Sequence, residues 1–150
     1  MDNQARSITS ISKEDMRKLQ VLQNAVLRLQ TGLGWFTPTQ VLVKRAKELS
    51  VHQLVAYHSA LQVFKCQKTS QPEYMFNKLF LNNDHRVGLR SATNQLISIN
   101  YNLSLSRGSF FYRAAKIFNS LPGHIKQIKT IPTFKKHLKI WIKENIAIVP

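Results

Sequence analysis

Apolar positions near the start of the chain recur at helical spacing. Leu19, Leu22, Val26, Leu29 and Leu33 fall three or four residues apart, on one stripe. Ahead of them, Ser12-Lys13-Glu14-Asp15 has the form of an N-cap followed by acids in the first turn, where they meet the positive end of the helix dipole. Behind them, Gly32 and Gly34 supply C-terminal stops. The pattern predicts a helix over about residues 13–31. Thr37-Pro38 then places a capping hydroxyl before a proline at the first helical position. A short helix follows to about Glu48, burying Val41, Leu42 and Ala46. Ser50-Val51-His52-Gln53 reads as a capping box, with Gln53 able to reach back to the cap's amide. The helix it opens runs to about Lys65, with Val51, Leu54, Val55, His58 and Leu61 on its apolar face. Pro72-Glu73 opens a fourth helix through Phe80.

The pattern changes between residues 82 and 108. Asn, Ser, Thr and Gly accumulate, and Leu96, Ile97, Ile99, Tyr101, Leu103 and Leu105 sit among polar residues in near alternation. Period 2 with β-branched and aromatic residues fits a strand or hairpin arm, and an extended loop packed across the helices fits equally well. Ser98 to Ser106 carries no charge, so an exposed edge there would invite aggregation. Helical spacing returns over about Ser109–Asn119 and stops before Pro122, because the residue preceding proline disfavours helix. Pro122 opens a short turn through Ile128, and Pro132 starts the last helix, about 132–146. There Phe134, Leu138, Trp141, Ile142 and Asn145 share one side, while Lys135, Lys139 and Lys143 line another at i, i+4, i+8. The expected fold is mainly α: five or six short helices in a small bundle, with an irregular or β-like insert at about 85–106. Residues 12–147 form a single helical domain behind a disordered tail over 1–11.

Charge changes this picture most. The chain of 150 residues is 43% hydrophobic, enough for one core, yet it carries 22 basic and 7 acidic residues, a formal net charge of +15. The last 44 residues hold nine basic groups against Glu144 alone, so more than half of the excess lies there. A basic excess of this size favours a polyanion, because phosphates release condensed counterions when Lys and Arg neutralise them. Nucleic acid is preferred over an acidic membrane surface and over solvated charge with no partner. Cys66 is alone, which excludes an intramolecular disulfide and a Cys-rich metal site. Neither a signal peptide nor an apolar run of membrane-spanning length is present, so an intracellular protein, nuclear or cytoplasmic and not secreted, is expected.

Motifs recur in a definite order. Leu19-Gln20, Gln23-Asn24-Ala25, Leu27-Arg28 and Thr31-Gly32 come first, followed by Ala60, Leu61, Phe64 and Lys65. Pro72-Glu73-Tyr74, His85-Arg86 and Leu89-Arg90-Ser91 continue the series. It ends in Ser109-Phe110-Phe111-Tyr112-Arg113-Ala114-Ala115-Lys116-Ile117-Phe118-Asn119-Ser120-Leu121-Pro122, then Ile125-Lys126 and Thr133-Phe134-Lys135-Lys136. Across about residues 16–147 this order resembles the C-terminal, post-polymerase region of reverse transcriptases encoded by non-LTR (LINE, jockey-like) retrotransposons. The resemblance implies a non-catalytic segment that engages element RNA or target DNA, with the parent polymerase domain as a further partner. Such polymerases hold divalent metal on paired aspartates. The acids here are Asp2, Glu14, Asp15, Glu48, Glu73, Asp84 and Glu144, with no Asp-Asp pair, so no catalytic residue carries over and no cofactor or small-molecule substrate is implied. The chain begins just past the position of the family's thumb segment, which implies a truncated copy or a separate reading frame of a degraded element.

Candidate binding residues follow from charge and aromatic content. Lys135, Lys136, Lys139 and Lys143, extended by Lys126 and Lys129, are placed to follow phosphates, although a merely solvated helix face explains them equally well. Base reading needs aromatic platforms or bidentate Arg, so an all-Lys patch binds with little sequence preference. Phe110, Phe111 and Tyr112 beside Arg107 and Arg113 fit base stacking, but next to Ala114, Ala115 and Ile117 they fit a core better. Tyr112 with Arg113 is the best stacking candidate. Trp35 and Trp141 are assigned to packing, and Cys66 to a small buried side chain. His52, His58, His85, His124 and His137 lack metal-ligand spacing, and Ser109 and Ser120 lack a nucleophile-elbow context. If no ligand exists, the remaining role is structural: a remnant that packed against the polymerase thumb, with the first helix's stripe and Ile140 as its interface.

Overall fold

The computed structural model describes residues 12–80 and 109–148, and within them the chain is mainly helical, with seven helices and no strand. In chain order these are α1 (Lys13–Thr31), α2 (Thr39–Ala46), α3 (Val51–Thr69), α4 (Glu73–Leu79), α5 (Phe110–Ser120), α6 (Gly123–Lys126) and α7 (Ile131–Asn145). The expected N-terminal tail and the β-like insert at 85–106 lie outside the described residues.

Local chemistry sets most of the boundaries. The Ser12 hydroxyl oxygen accepts the Asp15 amide at 3.0 Å, and Gly32, at a left-handed φ of 67°, closes α1 by donating its N–H to the Arg28 carbonyl. At α3 the capping box is complete: Ser50 accepts from the Gln53 amide, while the Gln53 side chain accepts from the Ser50 amide. Four more residues than expected extend α3, to Thr69. Thr37 does not cap α2. The helix begins one residue later, behind Pro38, and the Thr39 hydroxyl accepts Asn24 instead.

α3 is the centre of the molecule. Ala60, Val63, Phe64 and Cys66 are wholly buried, Ala56, Ser59 and Leu61 nearly so, and both α5 and α7 pack against it. A helix buried on several sides cannot present the one apolar face expected of it. His58, expected on that face, is exposed and meets the Tyr57 ring edge-on. Phe64 of α3 stacks on Phe134 of α7 with ring centroids 3.8 Å apart, and Phe118, Leu138, Ile142 and Leu79 fill the space around them. Each such side chain contributes on the order of 2 kcal/mol when fully buried. Asn145, grouped with the apolar side of α7 by its spacing, lies exposed at the helix end and donates to the Trp141 carbonyl.

α1 reverses the expectation drawn from its pattern. Its buried positions are Gln20, Asn24 and Leu27, while Leu19, Leu22, Val26 and Leu29 are exposed. At 100° per residue the two groups point about 150° apart. Polar bonds decide the orientation. Gln20 accepts the Val51 amide at 2.9 Å, Gln23 donates to the Leu49 carbonyl at 2.8 Å, and Asn24 donates to Thr39 at 2.8 Å. Leu27 adds a small apolar cluster with Leu42 and Val43 of α2. Val41, expected in the core, is exposed; Val43 takes that place. Trp35 is exposed too, lying under the Arg28 guanidinium at 5.0 Å, so it does not pack inside as expected.

Candidate nucleic-acid interface

Beside the apolar side of α7, about 115° around the helix, lies the basic stripe. Pro132 sits in the first turn, where its missing N–H costs nothing, and Phe134, Leu138 and Ile142 fix the helix against α3 with no exposed surface. The same 100° spacing then places Lys135, Lys139, Lys143 and Lys136 within an arc of about 100°. Lys135, Lys136 and Lys143 are exposed, and Lys139, within the arc, is half-buried. Lys129, in the link before α7, is exposed as well. Among the described residues the one ion pair is Arg17–Glu14 on α1, so none of these lysines is neutralised by a carboxylate there.

Two of the expected binding residues are already engaged. Lys126 is half-buried: its ammonium donates to the Asn119 carbonyl at 2.9 Å and lies 5.9 Å from the centre of the Phe118 ring. Burial holds its pKa below the ordinary lysine value. Lys126 is thus a tie between α6 and α5 rather than a free phosphate ligand. Lys143 donates to the Lys47 carbonyl at 2.8 Å, across 96 residues of sequence, while its side chain stays exposed. An ammonium has three donors, so Lys143 keeps two for other acceptors.

Tyr112 and Arg113 do not join the stripe. Both are half-buried on α5, which packs chiefly on α3, and the Arg113 Nε is buried with no hydrogen-bond partner among the described residues. Phe110 and Phe111 pack against the core, as their Ala-rich context suggests, with Lys78 of α4 4.3 Å from the centre of the Phe111 ring. The Cys66 thiol is buried and its pKa is raised by desolvation.

A basic group that the spacing did not single out completes the surface. Lys44, Arg45 and Lys47 crowd the C-terminal end of α2 and are exposed, and the Lys143–Lys47 bond joins that end of α2, at Lys47, to the end of the α7 stripe. Their run is visible in the sequence; its place beside a helix 96 residues later is not. Glu48 and Glu144 are the exposed acids in this region. Among the described residues no three His, Cys, Asp or Glu side chains gather as metal ligands, and no helix is long and apolar enough to cross a membrane. Comparison with protein families, with curated proteins and with solved structures returns no match for this chain.

Proposed function

We propose that this chain is a non-catalytic nucleic-acid-binding region, derived from a non-LTR retrotransposon reverse transcriptase, that follows RNA or DNA phosphates with the lysines of α7. The observation that supports it is the stripe itself. Lys135, Lys136 and Lys143 are exposed and Lys139 half-buried on a helix whose Phe134, Leu138 and Ile142 are wholly buried, and none of the four forms an ion pair among the described residues. Lys129 and the α2 group Lys44, Arg45 and Lys47 lengthen the track. Ammonium groups are point charges that hold phosphate without reading bases, so affinity is set by strand charge rather than sequence.

Filter or gel-shift titration at two salt concentrations tests this. Four lysine–phosphate contacts on a single strand imply roughly a 50-fold loss of affinity between 50 and 200 mM salt. Reversal of Lys135, Lys136 and Lys139 to Glu is expected to weaken binding by a similar factor on unrelated sequences, and Lys126→Met to change it little. An affinity that ignores salt would exclude the mechanism.

A second function, a structural remnant that packed against a polymerase thumb, is favoured by the exposed apolar stripe of α1 and by Ile140. That side chain is exposed on the face of α7 opposite its core residues.

A further inference from the structure

Between α1 and α2 the chain exposes two aromatic rings that neither the core nor the lysine stripe uses. The Gly34 carbonyl accepts the Thr37 N–H at 3.1 Å, so Trp35 and Phe36 take the two corner positions of a turn, and they are 73 and 97% exposed. Large rings left open at consecutive positions point to a contact made outside the chain. The turn is held from both ends. Pro38 fixes its exit, and on its entry side Arg28 of α1 donates from Nη2 to the Thr37 carbonyl at 3.5 Å. The same guanidinium lies 5.0 Å from the centre of the Trp35 ring, so one face of the indole rests on a cation while most of the side chain stays in solvent. Beside the ring runs an open groove of about 460 Å³, lined by Ala25, Arg28, Leu29, Gly32, Leu33 and Trp35, in which that guanidinium is the one charged group. Arg28 is also short of partners. Its long bond to Thr37 is the one it makes among the described residues, and its Nε is buried with none. A guanidinium has five N–H donors, so Arg28 keeps donors for an incoming acceptor.

We propose that an unpaired nucleobase stacks on Trp35 at this turn, with Arg28 donating to a phosphate or base oxygen beside it. The inference rests on the phosphate-binding function proposed above and adds the base contact that lysines cannot make. Charge selects this occupant. Between Asp15 and Glu48 the sequence holds no acid, while Arg17, Lys18, Arg28, Lys44, Arg45 and Lys47 are basic, so a polyanion meets no carboxylate from this stretch. Connectivity supports it as well. The turn stands at one end of α2, with Lys44, Arg45 and Lys47 at the other, and Lys47 is bonded to Lys143 of α7. Eight residues of helix at 1.5 Å each separate the two ends by about 12 Å, a few nucleotides of strand at about 3.4 Å or more each. A strand held by those cations therefore reaches the turn. Every base has a π-face, so stacking on Trp35 keeps the weak sequence preference of the lysines and adds a preference for unpaired strands.

Titration of the full chain with two probes tests the stack: a thymidine homo-oligonucleotide, and a strand of the same length and charge in which every site is abasic. The wild-type chain is expected to bind the base-bearing strand roughly fivefold or more tightly, the effect of one stacked base. Trp35→Ala is expected to bind both strands alike, with helix content by circular dichroism unchanged, and Trp35→Phe to restore part of the preference. Reversal of Lys135, Lys136 and Lys139 to Glu is expected to weaken both strands by one factor and to leave the preference in place. Salt-dependent binding that is equal on the two strands overturns the stacking site and leaves the phosphate-binding function standing. A preference that survives in Trp35→Ala overturns the site too, because the base contact then lies elsewhere. Absence of binding to either strand overturns the phosphate-binding function, and this inference with it.

Discussion

Gln53 shows how one side chain can join two levels of structure. Its Oε1 accepts the Ser50 amide at 3.1 Å within the capping box, and its Nε2 donates to the Ile146 carbonyl at 2.7 Å, 93 residues away. Both residues of the box are buried, so removal of either partner leaves polar groups without water. Gln53→Leu keeps the volume but leaves the buried Ser50 amide and the half-buried Ile146 carbonyl without their partner, an expected loss of about 2–4 kcal/mol, at roughly 1–3 kcal/mol for a buried group and less for a half-buried one. Ser50→Ala removes the cap alone, about 1 kcal/mol. Urea denaturation of the two variants separates the terms: equal losses would mean that the bond to Ile146 contributes nothing. The box itself is legible in Ser50-Val51-His52-Gln53, because a cap is a local arrangement. The bond to Ile146 is not, and neither is the engagement of Lys126 and Lys143. A sequence displays their charge and hides which carbonyl each finds.

Element by element, the same distinction separates the helices from their faces. Helix positions and stops are set by Ser12, Gly32, Ser50, Ser109 and Pro132, and all lie close to where their local chemistry places them. Which face turns inward is a tertiary outcome, and at α1 polar bonds to Val51, Leu49 and Thr39 oppose the apolar pattern and prevail. The consequence is an uneven molecule. α3, α5 and α7 share one large core cluster, whereas α1 and α2 hold together around Leu27, Leu42 and Val43. Regions with few buried apolar contacts open at lower free energy than the core. In native-state hydrogen exchange read by mass spectrometry, amides of α1 and α2 are expected to open several kcal/mol below those of α3. Leu27→Ala is expected to widen that gap while leaving α3 unaffected. Equal protection across α1 and α3 would show that the polar bonds hold α1 as firmly as the core holds α3.

At the scale of the whole molecule, a formal charge of +15 sets two responses to salt against each other. Among the described residues Arg17–Glu14 is the one ion pair, so most cations meet only other cations and water, and their mutual repulsion works against the compact state. Raising sodium chloride shortens the Debye length from about 10 Å at 0.1 M to about 3 Å at 1 M and removes that repulsion. The melting temperature is therefore expected to rise with salt, by roughly 2–4 °C for each kcal/mol of repulsion relieved in a chain of this size. Chloride is the salt to use, since sulfate would stabilise the fold by exclusion from its surface whatever the charge. Nucleic-acid affinity, which depends on counterion release, must fall over the same range. Thermal denaturation and titration on one set of salt concentrations thus carry opposite expected signs for one cause. A melting temperature that stays flat or falls with chloride would mean that the lysines of α7 and α2 are held at no cost to the fold.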